Sequence, residues 1–401
     1  MEEEDAHEAI DLRKEWRGMQ RRIVDLIKSK DNKCDFADDL FQLDPSVYTD
    51  PERLEAERRK IFMQEPMLVA LSSELAEPGD RVLFDAAGPP ILVIRGSDGA
   101  LRAFLNMCTH RGAKLVTSCD RTKGLLCPFH YWSFDLEGRL SGVPHERAFE
   151  GIDKEARGLV RVPIAEWNGM VFVRARPGEE ELDIEGFLGP IGPLLTALEL
   201  GSLGRIRADR LDVKANWKLA LDMGRETYHV PAVHKNSIAT NLYPHVAISD
   251  CYGPHSRFSG ASLDFADFVE KPEHEWPEMN YQAVHYIFPN TTLTFTHSFD
   301  GKTPVVTISR IFPGESVGEA MTLMATYRRR EAEGIADEQI VALHEAVLGI
   351  VGTEDYDVAH GVWQTIEHGS PGIDFVLGRN EPLVQRYHRE VADRIGMPLP
   401  G

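Results

Sequence analysis

The chain has 401 residues, and its 44 basic and 64 acidic side chains give a formal net charge of −20. This acidic excess argues against a nucleic-acid-binding protein, which needs clustered Lys and Arg, and 42% hydrophobic with 27% charged residues exclude a disordered or fibrous chain. Five cysteines, an odd number in so long a chain, do not suggest a secreted disulfide framework, so each thiol is a candidate for metal or redox chemistry.

Residues 1–45 mix charged positions with apolar ones such as Ile10, Leu12 and Ile23, which predicts one or two surface helices or an arm that contacts another subunit. The N-terminal sequence is charged throughout and lacks the apolar segment of a secretory signal. No stretch approaches the roughly 18 apolar residues that span a bilayer. We therefore expect a cytoplasmic protein that does not cross a membrane.

From Pro78 the sequence changes to short β-type runs separated by turn residues, among them Ser97-Asp98-Gly99. The runs lie at 82–84, 91–94, 101–105, 132–134 and 169–173. They predict a small antiparallel β domain that ends near residue 178.

The second half of the chain mixes helix-type and strand-type patterns. Helices are predicted at about 215–230, 336–350 and 353–367, and strands at 285–288, 293–299, 305–312 and 321–327. Strands in a block flanked by helices predict an α+β domain built on an antiparallel sheet. The aromatic side chains of this block are Tyr286, Phe288, Phe295, His297 and Phe299. They either line an apolar pocket or form the core of the sheet.

Two Cys–His pairs lie in the predicted β domain. The pattern is Cys108-x-His110, sixteen residues, then Cys127-x2-His130. It fits a tetrahedral Cys2His2 zinc site or a [2Fe–2S] cluster with two thiolates on one iron and two imidazoles on the other. Spacing alone leaves both open. Zinc sites usually pair Cys with Cys and His with His, whereas each turn here supplies one of each, as a cluster with two distinct irons requires.

The other three cysteines stand apart from this pattern. Cys119 lies between the two pairs and is an alternative ligand, although a single Cys is more often a small buried apolar residue. For Cys34 and Cys251 we expect structural roles.

A second metal signature lies in the predicted helix at 215–230. Asp222, Glu226 and His229 stand at positions i, i+4 and i+7, which form one polar stripe on a helix. Pro231 lies between His229 and His234 and bends or ends the helix, so that both rings could reach one ion. The combination predicts a metal site with two His ligands.

A mononuclear site of this kind needs a carboxylate from elsewhere, and the predicted helix at 353–367 offers Glu354, Asp355 and Asp357. Asp355 shares its face with apolar residues at +4, +7 and +11, whereas Asp357 faces solvent and Glu354 flanks both faces. A buried carboxylate is unfavourable unless it is paired or metal-bound, which favours Asp355 as the third ligand. Two His and one carboxylate are the facial triad of non-haem Fe(II) oxygenases.

At these motifs the chain resembles the Rieske non-haem iron oxygenases, specifically the large or α subunit of the ring-hydroxylating and demethylating type. The resemblance runs from about residue 45 to the end and also includes Asn216-Trp217-Lys218 and 378–382, Gly-Arg-Asn-Glu-Pro. It implies a small antiparallel-β Rieske domain at 46–178 and a larger α+β catalytic domain of the helix-grip, START-like type at 179–401, with 1–45 on the surface of the latter.

The resemblance also implies site residues. The cluster ligands are Cys108, His110, Cys127 and His130, and the mononuclear iron ligands are His229, His234 and Asp355. Glu226 matches the acid that, in a head-to-tail trimer of the family, links the iron ligand His229 of one chain to a cluster histidine, His130, of the next. Asp222 and Glu226 are the acids expected to orient the ligands during catalysis.

The implied activity is that of a terminal oxygenase component. It uses O2 and electrons from NAD(P)H, which arrive through a separate reductase with or without a ferredoxin, because the chain has no nicotinamide or flavin motif. We expect a homotrimer, alone or with a β subunit, without nucleic-acid or membrane partners. The expected reaction hydroxylates, dihydroxylates or oxidatively demethylates a small aromatic compound, as in aromatic hydrocarbon catabolism.

Two alternatives remain at this point. Glu rather than Asp at position 226 slightly favours family members that oxidise quaternary or tertiary amines. A non-enzymatic zinc or redox-sensing protein is the alternative of another class. The chain also departs from the family pattern in two places: Asp222-Met223-Gly224 replaces the usual Glu-Asn-Phe, and Tyr131 stands where Gly is common.

Overall fold

The computed structural model describes residues 10–31, 33–297, 304–330, 336–369 and 372–400. The chain divides into two compact units. The larger unit consists of Met1–Glu57, Leu188–Leu198 and Arg205–Gly401, and the smaller of Arg58–Phe187 and Glu199–Gly204. The predicted α+β class is confirmed, whereas the domain boundaries at 45/46 and 178/179 stay predictions.

The helices, in chain order, are α1 (Leu12–Lys28), α2 (Ser46–Thr49), α3 (Pro51–Glu57), α4 (Ile184–Leu188), α5 (Gly192–Ala197), α6 (Trp217–Asp222), α7 (Val230–Val233), α8 (Asp337–Ile350), α9 (Tyr356–Ile366) and α10 (Pro382–Ile395). A π-helical turn, Val351–Asp355, connects α8 to α9. Within the described residues, no helix is both long enough and apolar enough to span a membrane.

The strands, in chain order, are β1 (Phe41–Leu43), β2 (Met67–Leu71), β3 (Arg81–Phe84), β4 (Ile91–Arg95), β5 (Leu101–Leu105), β6 (Leu125–Leu126), β7 (Ser133–Phe134), β8 (Leu140–Gly142), β9 (Arg161–Val162), β10 (Ile164–Trp167), β11 (Met170–Val173), β12 (Leu203–Val213), β13 (Leu242–Tyr252), β14 (His255–Ser262), β15 (Ala283–Ile287), β16 (Thr291–His297), β17 (Pro304–Pro313), β18 (Ala320–Arg329) and β19 (Phe375–Leu377).

The smaller unit contains three small sheets, in the orders β3-β4-β5-β9, β10-β11-β2 and β6-β7-β8. Their pairs are antiparallel, as the sequence predicts. The larger unit is built on a seven-stranded sheet in the order β12-β18-β17-β16-β15-β14-β13. A two-stranded sheet pairs β1 with β19.

The two faces of the seven-stranded sheet are covered by different helices. Side chains alternate between faces along a strand, and residues directly opposite on neighbouring strands share a face. On one face α1 buries Trp16 and Ile23 in a cluster with Ala283 of β15. On the other, Thr326 of β18 bonds to His344 of α8 at 2.8 Å. We call these the α1 face and the α8 face.

Helix α6 is fixed by a fully buried ion pair. Lys218 Nζ lies 2.6 Å from Glu57 Oε1, and the neighbouring Trp217 Nε1 donates to Glu57 Oε2 at 2.7 Å. Both charged side chains are at most 1% exposed. This pair ties α6 to α3 and so holds the start of the segment that carries the second metal signature.

The prediction of a single helix at 215–230 is wrong. Helix α6 ends at Asp222 and α7 begins only at Val230, with turns between them. Gly224 in this stretch is a poor helix former. Asp222, Glu226 and His229 therefore do not form a stripe on one helix.

Candidate metal centres

The two Cys–His pairs lie on two turns that have the same hydrogen-bond pattern. In each turn the amide of the cysteine, Cys108 or Cys127, donates to the carbonyl five residues later at 2.8 Å. The cysteine carbonyl accepts from the amide four residues later at 2.9 Å. The smaller unit thus presents two equivalent loops, each with one cysteine and one histidine.

The fourth residue after each cysteine has a left-handed backbone. In the first turn it is Gly112, with φ of 76°, and in the second it is Tyr131, with φ of 60°. Glycine adopts this conformation without steric strain, whereas an aromatic residue does not. Tyr131 is also largely exposed.

The donor atoms of the four residues fit a Rieske [2Fe–2S] cluster. Cys108 and Cys127 are each 1% exposed, and burial, followed by the contact with Cys127, raises the pKa of Cys108. The rings of His110 and His130 lie 4.7 Å apart. The Nδ1 atoms of both rings are buried without a hydrogen-bond partner among the described residues. Two thiols and two unpartnered imidazole nitrogens are the ligands that such a cluster needs.

The second signature brings three donor atoms to one point in the larger unit. His229 Nε2 and His234 Nε2 are 3.3 Å apart. Asp355 Oδ1 lies 3.4 Å from the first and 3.1 Å from the second. His234 and Asp355 are buried. This set fits the two-His, one-carboxylate arrangement of a non-haem iron site.

Glu226 explains why the chain folds as turns before His229. Its Oε2 accepts the backbone amides of Tyr228 and His229, the latter at 3.1 Å, and its Oε1 accepts from His229 Nδ1. The carboxylate thus holds the turn that precedes α7 and at the same time fixes the orientation of the imidazole. Burial lowers the pKa of His229, but hydrogen bonds to Asp355 and Glu226 outweigh it and raise that pKa to about 9.

Glu354 orients the imidazole of His234 in the same way as Glu226 orients that of His229. His234 Nδ1 donates to Glu354 Oε2 at 2.6 Å, and Ser237 Oγ donates to the same oxygen at 2.6 Å. These two bonds lower the pKa of Glu354. Sequence reasoning left the direction of Glu354 open and assigned it no role. Its only signal was its position next to Asp355.

Asp355 lies at the end of the π-helical turn between α8 and α9. A π turn adds one residue to a helical turn and is frequent at functional sites because it redirects a side chain. Asp355 is buried, whereas Asp357 is exposed as predicted. Glu354 is half-buried beside it.

Asp222 is held by residues other than the metal ligands. Its Oδ2 accepts from the Tyr48 hydroxyl at 2.8 Å and from His388 Nε2 at 2.9 Å. Burial, with the Asp222 charge next, raises the pKa of Tyr48 well above its usual value. Asp222 thus links the end of α6 to α2 and α10.

The remaining cysteines have no place in either centre. Cys119 and Cys251 are exposed, and Cys34 is half-buried. Burial, with the neighbouring Asp35 charge, raises the pKa of Cys34 to about 11. The expectation that Cys119 is a small buried residue is therefore wrong.

The aromatic residues of the strand block do not share one pocket. The register places Tyr286 opposite Thr292 on the α8 face. Phe295 lies on the α1 face, where its ring is 5.4 Å from that of His285. Tyr286 and Phe295 therefore lie on opposite faces of the sheet. Phe299, which was grouped with them, lies outside the described residues, as does the side chain of His297.

Two known families match this chain. The family described as "Ring hydroxylating alpha subunit (catalytic domain)" matches residues 200–397. The family described as "Rieske [2Fe-2S] domain" matches residues 65–163. The second match contains both Cys–His turns, and the first contains His229, His234 and Asp355.

Individual proteins also match. A carnitine monooxygenase oxygenase subunit from Acinetobacter baumannii is 29% identical over 294 residues, 68% of this chain and 78% of that protein. A glycine betaine monooxygenase oxygenase subunit from Chromohalobacter salexigens is 32% identical over 191 residues, 47% of this chain and 42% of that protein. The crystal structure of a quaternary ammonium Rieske monooxygenase with L-carnitine has a similar fold, with a TM-score of 0.75, 23% identity and coverage of 90% of this chain and 96% of that one.

Proposed function

The chain belongs to the Rieske non-haem iron oxygenases whose catalytic domain is of the ring-hydroxylating α-subunit type, and from this premise we propose that it oxidises a quaternary or tertiary amine. It is the terminal oxygenase component of such a system. The observation that carries the proposal is that similar proteins are named for carnitine and glycine betaine, both quaternary amines. The aromatic substrate and aromatic hydrocarbon catabolism expected from sequence are not supported by these relatives.

We further propose the ligand sets. The cluster is held by Cys108, His110, Cys127 and His130, and the iron by His229, His234 and Asp355. When bound, the cluster supplies single electrons and the iron binds and activates O2.

The protein residues around the iron position its ligands. Glu226 and Glu354 each accept the Nδ1 proton of one histidine, which leaves both Nε2 atoms free to bind metal. Asp222, held by Tyr48 and His388, keeps the end of α6 in place. Glu226 is also proposed to reach His130 of a neighbouring chain, within a homotrimer.

The reaction is proposed to hydroxylate a carbon bonded to the amine nitrogen. One oxygen atom of O2 is inserted into the C–H bond. The other oxygen atom takes up two protons and two electrons and is released as water. The electrons come from NAD(P)H through a partner reductase. The hydroxyl group on this carbon then loses its proton, and the C–N bond breaks with its electron pair going to nitrogen. The amine is released and the carbon leaves as an aldehyde.

A substrate-depletion assay tests this proposal. The iron-loaded protein, a surrogate reductase and NADH are incubated with a panel of quaternary and tertiary amines and a panel of aromatic hydrocarbons and ethers. We expect NADH-dependent loss of an amine with release of an aldehyde. Oxidation of aromatic compounds alone would contradict the amine proposal.

The metal content tests the alternative of another class. Iron and acid-labile sulfide are assayed together with the visible spectrum. We expect two cluster irons, two sulfides and one further iron in each chain, about the stoichiometry of one cluster and one mononuclear site. A colourless protein with zinc and no sulfide would contradict the oxygenase function.

A further inference from the structure

Four aromatic side chains that can be oxidised lie close together in the core of the larger unit. They are Tyr48, Trp217, Tyr286 and Tyr387, and each is at most 3% exposed. A buried tyrosine or tryptophan needs a partner for its polar group, whereas phenylalanine fills similar space without one. Three tyrosines and a tryptophan in one cluster therefore suggest a role besides packing.

Tyr387 of α10 lies at the centre of this cluster. Its ring centre is 6.2 Å from that of Trp217 in α6. One guanidinium, that of Arg225, lies between Tyr387 and Tyr286, at 4.2 Å from the first ring centre and 4.4 Å from the second. Aromatic rings in contact have such spacings, so Tyr387 connects Tyr286 to Trp217.

A second branch leads from Tyr387 to Tyr48 of α2. The rings of Tyr387 and His388 are 6.1 Å apart, and those of His388 and Tyr48 are 5.4 Å apart. We call the series Tyr286, Tyr387, His388 and Tyr48 the aromatic path. All four residues are buried and belong to the larger unit.

The Tyr286 end of the aromatic path adjoins the candidate iron site. The Tyr286 hydroxyl donates to the Gly224 carbonyl, two residues before Glu226. Burial raises the pKa of Tyr286, the Arg225 charge opposes this rise, and the Glu226 charge adds to it. The Glu226 carboxylate thus lies within electrostatic range of Tyr286, and it bonds to the proposed ligand His229.

The Tyr48 end of the aromatic path has a base that can take a proton. The Tyr48 hydroxyl donates to Asp222 Oδ2 at 2.8 Å, and His388 Nε2 lies 3.1 Å from the same hydroxyl. A phenol that loses an electron becomes strongly acidic, and an uncompensated charge is unfavourable in the core. Oxidation of a buried tyrosine therefore needs such a base. The other oxygen of Asp222, Oδ1, is buried without a hydrogen-bond partner among the described residues.

The other two tyrosines have no such base. The hydroxyl of Tyr387 donates to the Pro289 carbonyl at 2.8 Å, and that of Tyr286 donates to a carbonyl as well. A backbone carbonyl accepts a hydrogen bond but does not keep the proton. The Arg225 charge between the two rings also disfavours positive charge on either of them.

Trp217 has a carboxylate partner but shares it with a cation. Its Nε1 donates to Glu57 Oε2 at 2.7 Å, and Glu57 Oε1 is paired with Lys218 Nζ at 2.6 Å. The same Nζ lies 5.2 Å from the centre of the Trp217 ring, where it disfavours a positive charge on the ring. Tyr48 is therefore the residue of the cluster best able to hold an oxidised state.

We propose that the aromatic path supplies an electron to the iron site when reduced oxygen meets no substrate there, and that Tyr48 is the residue that is finally oxidised. The path would thus protect the iron ligands from oxidation. This inference rests on the proposed iron site but not on the amine substrate.

The electrons and protons of this reaction balance. Reduction of O2 by two electrons without a substrate gives hydrogen peroxide. One electron from ferrous iron, one from Tyr48 and two protons from solvent convert the peroxide to two water molecules. The O–H bond of Tyr48 breaks, its proton passes to Asp222 Oδ2, and a neutral tyrosyl radical remains. One electron from the reduced partner protein and the proton held by Asp222 then restore Tyr48.

Hydrogen peroxide and the iron-loaded protein test the inference without substrate or reductase. Protein with ferrous iron and an oxidised cluster is mixed with peroxide, frozen rapidly and examined by electron paramagnetic resonance. We expect an organic radical whose splitting collapses when the protein is made with ring-deuterated tyrosine. Tyr48→Phe should lose this signal, because phenylalanine keeps the ring but lacks the hydroxyl that is oxidised.

Tyr387→Phe is a second variant, and it interrupts the aromatic path at its centre. It removes the bond to the Pro289 carbonyl and leaves the bonds of the Tyr48 hydroxyl in place. This variant should also lose the radical. In both variants peroxide should oxidise a larger share of His229 and His234 than in the wild type, as measured by mass spectrometry of the peptides that contain them.

Tyr281→Phe is the matched control. Tyr281 belongs to the same unit, but its hydroxyl lies 2.8 Å from His285 Nε2 on the α1 face, away from the aromatic path. The radical should persist in this variant. An organic radical that persists in both Tyr48→Phe and Tyr387→Phe, an equal radical in protein stripped of iron by a chelator, or no organic radical in the wild type would overturn the inference.

The outcome is independent of the substrate. If amines are oxidised but peroxide gives no tyrosyl radical, the amine proposal stands and the aromatic path fails. If the radical forms but only aromatic compounds are oxidised, the aromatic path stands and the amine proposal fails.

Discussion

Two glutamates orient the two histidines that are proposed to bind the iron. Glu226 and Glu354 accept from the Nδ1 atoms of His229 and His234, which turns both Nε2 atoms toward Asp355. Loss of such a partner of a metal-bound histidine commonly lowers the metal affinity by about 10- to 100-fold. The candidate iron site therefore consists of three proposed ligands and two carboxylates that orient the histidines among them.

Glu354→Ala is expected to weaken iron binding by about 10- to 100-fold, because His234 loses the carboxylate that orients it. Iron is counted per chain after equilibration with a competing chelator, and the visible spectrum reports the cluster. Asp357→Ala, at an exposed position on α9, is the control and should retain iron. Full iron retention in Glu354→Ala would show that Ser237 and the fold alone hold His234.

Asp355→Ala is expected to abolish mononuclear iron and turnover while the cluster stays, because the proposed third ligand is lost and the Cys–His turns lie elsewhere in the chain. Iron content, acid-labile sulfide and product formation are measured on the same sample. Turnover at the wild-type rate would mean that another carboxylate is the ligand.

Tyr131→Gly is expected to stabilise the protein by about 1 kcal/mol, because glycine adopts the left-handed backbone of the second turn without strain. The midpoint of denaturant unfolding measures the change. Gly112→Ala is the reverse experiment in the equivalent turn, where an added Cβ has no neighbour closer than 4.0 Å. It should destabilise by about the same amount. A less stable Tyr131→Gly would show that the exposed ring contributes a contact of its own.

At the level of single residues, the sequence predicts the candidate metal ligands but not the side chains that orient them. Cys, His and carboxylate spacing limits the candidates strongly, since few other residues bind these metals. Glu354 could not be assigned because its role depends on the direction of His234 Nδ1, which spacing does not define. The position of Tyr286 and Phe295 on opposite faces likewise depends on strand register.

Among the secondary-structure elements of the central sheet, the sequence predicts the strands whose residues have an apolar pattern. β15 to β18 have buried residues throughout or in alternation, and they lie within a few residues of the predicted stretches. Three strands of the same sheet, β12, β13 and β14, were not predicted. β12 is an edge strand with charged and largely exposed residues, so its pairing partner rather than its pattern defines it. The apolar pattern does not predict the break between α6 and α7, because the bonds from the Tyr228 and His229 amides to the Glu226 carboxylate are side-chain contacts.

The burial of His285 in β15 makes stability sensitive to acid. Burial, with the Arg257 charge next, lowers the pKa of this fully buried residue to about 3, from its usual value of 6.5. Between these values the unfolded chain binds a proton that the folded chain does not. Stability contributed by His285 is therefore complete above pH 6.5 and is lost as the pH falls toward 3.

His285→Gln should accordingly flatten the dependence of unfolding free energy on pH between about 6 and 4, by roughly 1.4 kcal/mol for each pH unit at most. Urea unfolding at several pH values measures the slope. His274→Gln is the control because its side chain is 79% exposed. Identical slopes for His285→Gln and the wild type would show that His285 is protonated in the folded state or has no part in the acid response.

For the whole assembly, Glu226 is the residue on which the proposed transfer between chains depends. Glu226→Gln keeps an oxygen that can accept from His229 Nδ1, so both metals should stay bound. The negative charge that would attract a cluster histidine of the neighbouring chain is lost. In a single turnover without added reductase, we expect slow reoxidation of the reduced cluster and little product. Wild-type reoxidation with full product would remove Glu226 from the electron path.

The larger unit contains segments from both ends of the described chain. β1 pairs with β19, and Arg53 donates to the Met397 carbonyl at 3.2 Å, so contacts join residues more than three hundred positions apart. The segment between, Arg58–Phe187, belongs to the smaller unit. During synthesis, residues 10–57 therefore leave the ribosome long before their partners exist, whereas the cluster-binding unit has almost all of its own residues at once. Cofactor insertion into the Cys–His turns can therefore precede formation of the iron site. A chain that ended at residue 374 would lack α10 and so expose α3 and the Tyr48 ring of α2, which contact it.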